Sequence, residues 1–114
     1  CFFEMKVDGE ANLFEDLRLW QAGKEYAVAS EEPAGFGRAD VMLIPHDKSK
    51  RGVIFEFKKV GRKKHTTLEA AAEAAKRQMI DKNYRSRMEA HGVRLMTQVA
   101  IGFKGSECLV IEVE

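Results

Sequence analysis

Gly35-Phe36-Gly37-Arg38-Ala39-Asp40 and, past a short basic turn, Val53-Ile54-Phe55-Glu56-Phe57-Lys58 are the stretches that decide the fold of this chain. The first leads into the apolar run Val41 to Ile44, the second is itself rich in apolar and aromatic side chains, and turn residues bound both, so both read as strands. Strand side chains alternate between faces, which sets Glu56 and Lys58 on one side and Phe55 and Phe57 on the other. One face carries charge and the other packs. The polar segment from His46 to Arg51 is short enough to join the two strands as an antiparallel hairpin, bringing Asp40 within reach of Glu56.

Outward from this hairpin the elements follow in a simple order. Leu13, Phe14, Leu17 and Trp20 recur at helical spacing between Glu10 and Ala22, with Gly23 as a stop. Strands are predicted over Glu25–Ser30, Arg38–Pro45 and Gly52–Val60. Thr66-Thr67-Leu68-Glu69 has the form of a capping box, and the alanine-rich stretch after it is predicted as one helix running to His91, with Gly92 as its stop. Its stripe of Leu68, Ala72, Ala75, Met79, Tyr84 and Met88 suits packing on a sheet, where alanines allow close approach. Two further strands, Val93–Phe103 and Glu107–Val113, are joined by a turn at Lys104-Gly105-Ser106.

Composition narrows the class. The 114 residues suit a single domain with its own core. Nineteen Lys and Arg nearly balance eighteen Asp and Glu, but the charges are unevenly spread. Eight basic residues (Lys48, Lys50, Arg51, Lys58, Lys59, Arg62, Lys63 and Lys64) fall in one segment whose only acid is Glu56. Such a cluster attracts phosphate. Alone it equally suits a solvated edge guarded by lysines, and the adjacency of Glu56 favours a nucleic-acid face. No apolar run reaches the roughly twenty residues that span a bilayer, so no membrane partner is expected. Cys1 and Cys108 have no metal-ligand spacing and read as reduced thiols of a cytoplasmic protein, with no disulfide. His46, His65 and His91 lack zinc spacing and read as solvated. A chain that opens at Cys1 rather than Met reads as a trimmed or excised domain.

These residues resemble the PD-(D/E)xK nuclease superfamily, the restriction-endonuclease-like fold. The likeness rests on Asp40 followed by Glu56-Phe57-Lys58 on adjacent strands, and on the order helix, three-stranded antiparallel meander, long helix, further strands. More narrowly, Gly35 to Val41, Phe55 to Lys58, the run from Leu68 to Tyr84 with Gln78, and Ile101 to Gly105 look like the nuclease-like domain that follows AAA-ATPase-like modules. An Asp and a Glu-x-Lys pair are weak evidence by themselves. Joined to the Gly-rich approach and the Gln-bearing helix they become specific.

The resemblance implies an α/β fold, in detail an α+β mixed sheet with a restriction-endonuclease-like core. It implies hydrolysis of phosphodiesters in nucleic acid, DNA first, with Mg²⁺ or Mn²⁺ as cofactor. Asp40, Glu56 and the backbone carbonyl of Phe57 are then the expected metal ligands, since hard cations prefer oxygen. Lys58 is expected to act on the attacking water or on developing charge. Gln78 is expected to face the site, and Tyr84 to contact substrate with it, against the plainer reading of a packed ring and a surface amide. Arg38, Lys59, Arg62, Lys63 and Lys64 are the expected backbone contacts, although Arg38 suits a structural ion pair with Glu31 or Glu32 equally.

The helical region before the first strand is shorter than in relatives, and Glu15 is only a weak third acid beside Glu10. A shortened helix leaves part of the sheet uncovered, which points to a homodimer. The alternative is an inactive nuclease-fold module that binds nucleic acid or regulates an attached ATPase.

Overall fold

The structure, a computed structural model, describes residues 25–35 and 37–113, with the side chains of 32–34 and 38 outside that description. The helix predicted over Glu10–Ala22, with Glu10, Glu15 and Trp20, lies outside the described residues.

Strands β1 (Tyr26–Ala34), β2 (Gly37–Pro45) and β3 (Gly52–Lys59) form the predicted antiparallel meander. Strand β1 is four residues longer at its C-terminal end than its sequence pattern suggested, because the hairpin with β2 continues to the pair Ala34–Gly37. Gly35, at φ +54, makes that tight turn possible. A side chain there would collide with the backbone of Lys82 and Asn83, so the hairpin tip rests directly on the helical layer.

Strand β4 (Met96–Lys104) pairs with β3 in parallel, and β5 (Glu107–Val113) returns antiparallel beside it. Strand order therefore follows chain order in one mixed five-stranded sheet. A parallel step needs a crossover, and α1 (Leu68–Asp81) with α2 (Arg85–Ala90) supplies it. Ala71, Ala72, Ala75 and Met79 are the buried residues of α1. Gly102 lets the helix sit on the sheet, since a Cβ there would stand 2.8 Å from both Ala72 N and Leu68 O.

The single long helix predicted to His91 is corrected to two. Lys82 ends α1, its N–H turning back to Gln78 O and Ile80 O, and Asn83 enters the left-handed region at φ 50. Asparagine tolerates that conformation better than most residues. The break redirects Tyr84, which is fully buried, into a core shared with Met42, Ile54, Met79, Met88 and Ala100. The N-cap also shifts by one residue. Thr67 rather than Thr66 accepts from Ala70 N, at 3.0 Å.

On the opposite face Phe55 stacks on Phe57 at 6.0 Å, and Phe57 meets Phe103 at 5.7 Å. The expected alternation of β3 thus holds, with aromatics on one side and Ile54, Glu56 and Lys58 on the other. Cys108 on β5 is disulfide-bonded, which corrects the expectation of reduced thiols and removes the compartment argument built on it. Among the described residues no helix is long and apolar enough to cross a membrane.

Candidate active site

The site begins where the sheet comes apart. The β2–β3 ladder runs through Leu43–Val53, Met42–Ile54 and Val41–Phe55 and ends there. One more step in the same register would set Asp40 across from Glu56. Instead the Asp40 side chain takes over the role of the ladder, its Oδ2 accepting from Phe57 N at 2.8 Å. On the other side the β1–β2 ladder omits the pair Glu31–Asp40, where Glu31 has φ 52. Asp40 therefore sits at an interruption in both ladders. Local breaks of this kind re-aim side chains and make room beside a sheet.

Glu56 projects from β3 into the space under α1 and is 2 % exposed. Its Oε2 lies 3.5 Å from Lys58 Nζ, while its Oε1 is buried with no hydrogen-bond partner. Burial, reinforced by the negative charge of Asp40, pushes the Glu56 carboxyl up to about 8. The Lys58 charge and the Tyr84 hydroxyl pull the other way and are outweighed. A lone carboxylate in such surroundings carries a large desolvation penalty. Without a further positive charge Glu56 keeps its proton through most of the neutral range.

The third element of the site is the break between the helices. Gln78, on the last turns of α1, donates from Nε2 to the Tyr84 hydroxyl at 2.6 Å, and that hydroxyl interacts with the Glu56 carboxylate. Burial raises Tyr84 to about 12, so it is a neutral phenol at any ordinary pH. The ring is fully buried. Its place in the apolar stripe with Met79 and Met88 was the signal that it would turn inward.

Asp40, Glu56, Lys58 and Gln78 are thus drawn toward one point by three separate elements. Lys59, Arg62, Lys63 and Lys64 follow immediately, exposed at the same end of β3. The rest of the basic segment does not join them. Lys50 pairs with Glu25 at 3.1 Å, and Arg51 Nη1 donates to Met96 O at 2.9 Å, both at the far end of the strand. A cavity of about 280 Å³ lined by Arg51, Arg85 and Glu112 belongs to that far end and contains none of the site residues. The Arg38 side chain lies outside the described residues.

The residues fit a hard divalent cation. Two carboxylates of adjacent strands repel one another, and a cation between them removes both that repulsion and the desolvation of Glu56. The unpartnered Oε1 of Glu56 is a donor atom without a partner in the protein. Among the described residues no group of three or more His, Cys, Asp or Glu gathers, so the acidic set is this pair.

Neither a comparison with curated proteins nor one with solved structures returns a match. A comparison with family profiles does, over residues 9–113, a span that takes in every residue of the site. Its mixed sheet, its crossover helices and the match across nearly its whole length agree: the chain belongs to the PD-(D/E)XK nuclease superfamily.

Proposed function

We propose that this protein is a metal-dependent nuclease hydrolysing phosphodiester bonds of DNA. The observation that carries the reading is the buried Glu56 carboxyl, with an unpartnered oxygen, held beside Asp40 and Lys58. Ionising an acid kept in that position costs the fold stability, and perturbed carboxyls of this kind concentrate at functional sites.

Asp40 and Glu56, with the Phe57 carbonyl, hold Mg²⁺ or Mn²⁺ in this reading. When bound, the cation supplies Lewis-acid activation of water and of the scissile phosphate. Glu56 gives up its proton on loading. Asp40 is kept in place by the Phe57 N–H, a backbone contact that fixes it without a flexible partner. Lys58, whose side chain is 29 % exposed, reaches both the carboxylate and the solvent side, where an entering phosphate would lie. It orients the attacking water and neutralises charge on the phosphorus oxygens as one P–O bond forms and the ester P–O bond breaks. Lys59, Arg62, Lys63 and Lys64 bind flanking phosphates, which sets affinity and carries no base preference.

The test is cleavage of labelled single-stranded, duplex and branched DNA, with matched RNA, in Mg²⁺ and Mn²⁺, comparing the protein with Lys58→Ala. Cutting that needs both cation and Lys58 is the expected result. Cation-independent binding with no cutting by either protein would replace the nuclease with a binding module.

A further inference from the structure

The helix break at Asn83 does more than end α1. It places a buried phenol, supported by an amide from the preceding helix, against the one buried acid of the site. A phenol has one proton to donate. Because Gln78 Nε2 donates into the Tyr84 oxygen, the Tyr84 proton is directed away from Gln78, and the carboxyl with which that hydroxyl interacts is Glu56. Gly35 and Gly37 close the arrangement from the hairpin side. The backbone of Gly35 abuts that of Lys82 and Asn83, and a Cβ at Gly37 would stand 3.4 Å from Tyr84 Cε1. The ring thereby packs against the strand that carries Asp40.

We propose that Gln78 and Tyr84 are a positioning pair. Gln78 orients the Tyr84 hydroxyl, and Tyr84 holds the Glu56 carboxylate in the orientation that receives the divalent cation, with Tyr84 making no contact to nucleic acid. This rests on the reading of Asp40 and Glu56 as cation ligands. Hydrogen-bond partners behind ligating side chains fix ligand orientation, and their loss characteristically weakens metal affinity about 10- to 100-fold.

The test is Mn²⁺ titration calorimetry on the protein, Glu56→Gln, Tyr84→Phe, Gln78→Leu and the Gln78→Leu/Tyr84→Phe double variant. The melting temperatures of the cation-free proteins are recorded beside it. Glu56→Gln is expected to abolish binding at the site. Tyr84→Phe, which keeps the ring and removes only the hydroxyl, is expected to weaken Mn²⁺ binding about 10- to 100-fold while remaining folded. Gln78→Leu is expected to weaken it less, and the double variant to be no worse than Tyr84→Phe, because the two residues act through one hydrogen bond. Tyr84→Phe binding Mn²⁺ as tightly as the parent, with Glu56→Gln still defective, would overturn the positioning role and leave the cation site standing. Binding indifferent to Glu56→Gln would instead remove the cation site. The positioning role then falls with it.

Discussion

The two ends of β3 carry the same kind of residue and use it differently. At the N-terminal end Lys50 is tied to Glu25 and Arg51 to the carbonyl of Met96, so the basic side chains there fasten a turn and the start of β4. At the C-terminal end Lys58 faces a buried acid, and Lys59, Arg62, Lys63 and Lys64 are exposed beyond it. Seven residue steps along the strand carry Arg51 to Lys58, roughly 23 Å at about 3.3 Å each. A charge cluster in the sequence is therefore two groups in space. The difference lies in what each cation faces, since exposed ion pairs contribute little whereas a cation beside a buried carboxylate acts on a group that burial has made costly.

The largest expected effect breaks the C-terminal end alone. Lys58→Ala should lower the cleavage rate by about 100-fold or more, the scale seen when a charge-stabilising group is removed. Its melting temperature should stay near that of the parent. A loss of stability comparable to the loss of rate would make Lys58 a structural residue like Arg51.

Next in size is the pH response of the cation-free protein. Glu56 is raised from its ordinary value of 4.5 to about 8, so between these limits the folded state binds more protons than the unfolded chain. Stability from this group is present in full below about 4.5 and is lost as pH rises through about 8. The effect should be on the order of a few kcal/mol, with melting temperature falling from pH 5 to pH 8. Glu56→Gln should flatten that slope, and Mn²⁺ should offset it by replacing the proton. An unchanged slope in Glu56→Gln would assign the pH response to other groups.

A smaller effect sharpens the contrast between the two basic groups. Replacing Arg62, Lys63 and Lys64 by Ser should weaken duplex binding at every sequence and reduce the salt slope of the binding constant by about 2 to 3. The matched replacement of Lys48 and Lys50 should leave that slope unchanged. Equal changes from both sets, measured by fluorescence anisotropy across salt, would merge the two ends into one surface.

The smallest effect belongs to the N-terminal end. Arg51→Ala removes a side chain to backbone hydrogen bond and should cost about 1 to 2 kcal/mol in denaturant unfolding, with cleavage unaffected. Reduced cleavage at unchanged stability would connect that end to the site.

Period and punctuation carried most of the fold. Turn residues around β2 and β3 were enough to predict the meander, and β5 lies at Glu107–Val113 as its pattern indicated. The acids and Lys58 were legible for the same reason, because alternation on a strand depends only on sequence neighbours. The division of the long helix was not. Every residue from Leu68 to His91 is acceptable in a helix, and Asn83 is an ordinary polar residue until the hairpin tip at Gly35 presses on the chain beside it. The disulfide at Cys108 was equally hidden, since pairing depends on proximity rather than spacing.

What the sequence by itself determined is thus the local part: strands and their faces, the existence of a helical segment between the third and fourth strands, and the residue types of a two-carboxylate site with a lysine. Only the tertiary structure decided that Asp40 lies where both ladders lapse, that Glu56 is buried deeply enough to hold its proton to about 8, and that the Tyr84 hydroxyl meets it. The reason is physical. Side-chain direction follows from covalent geometry and period, whereas desolvation and charge coupling are set by what other elements place within a few ångströms.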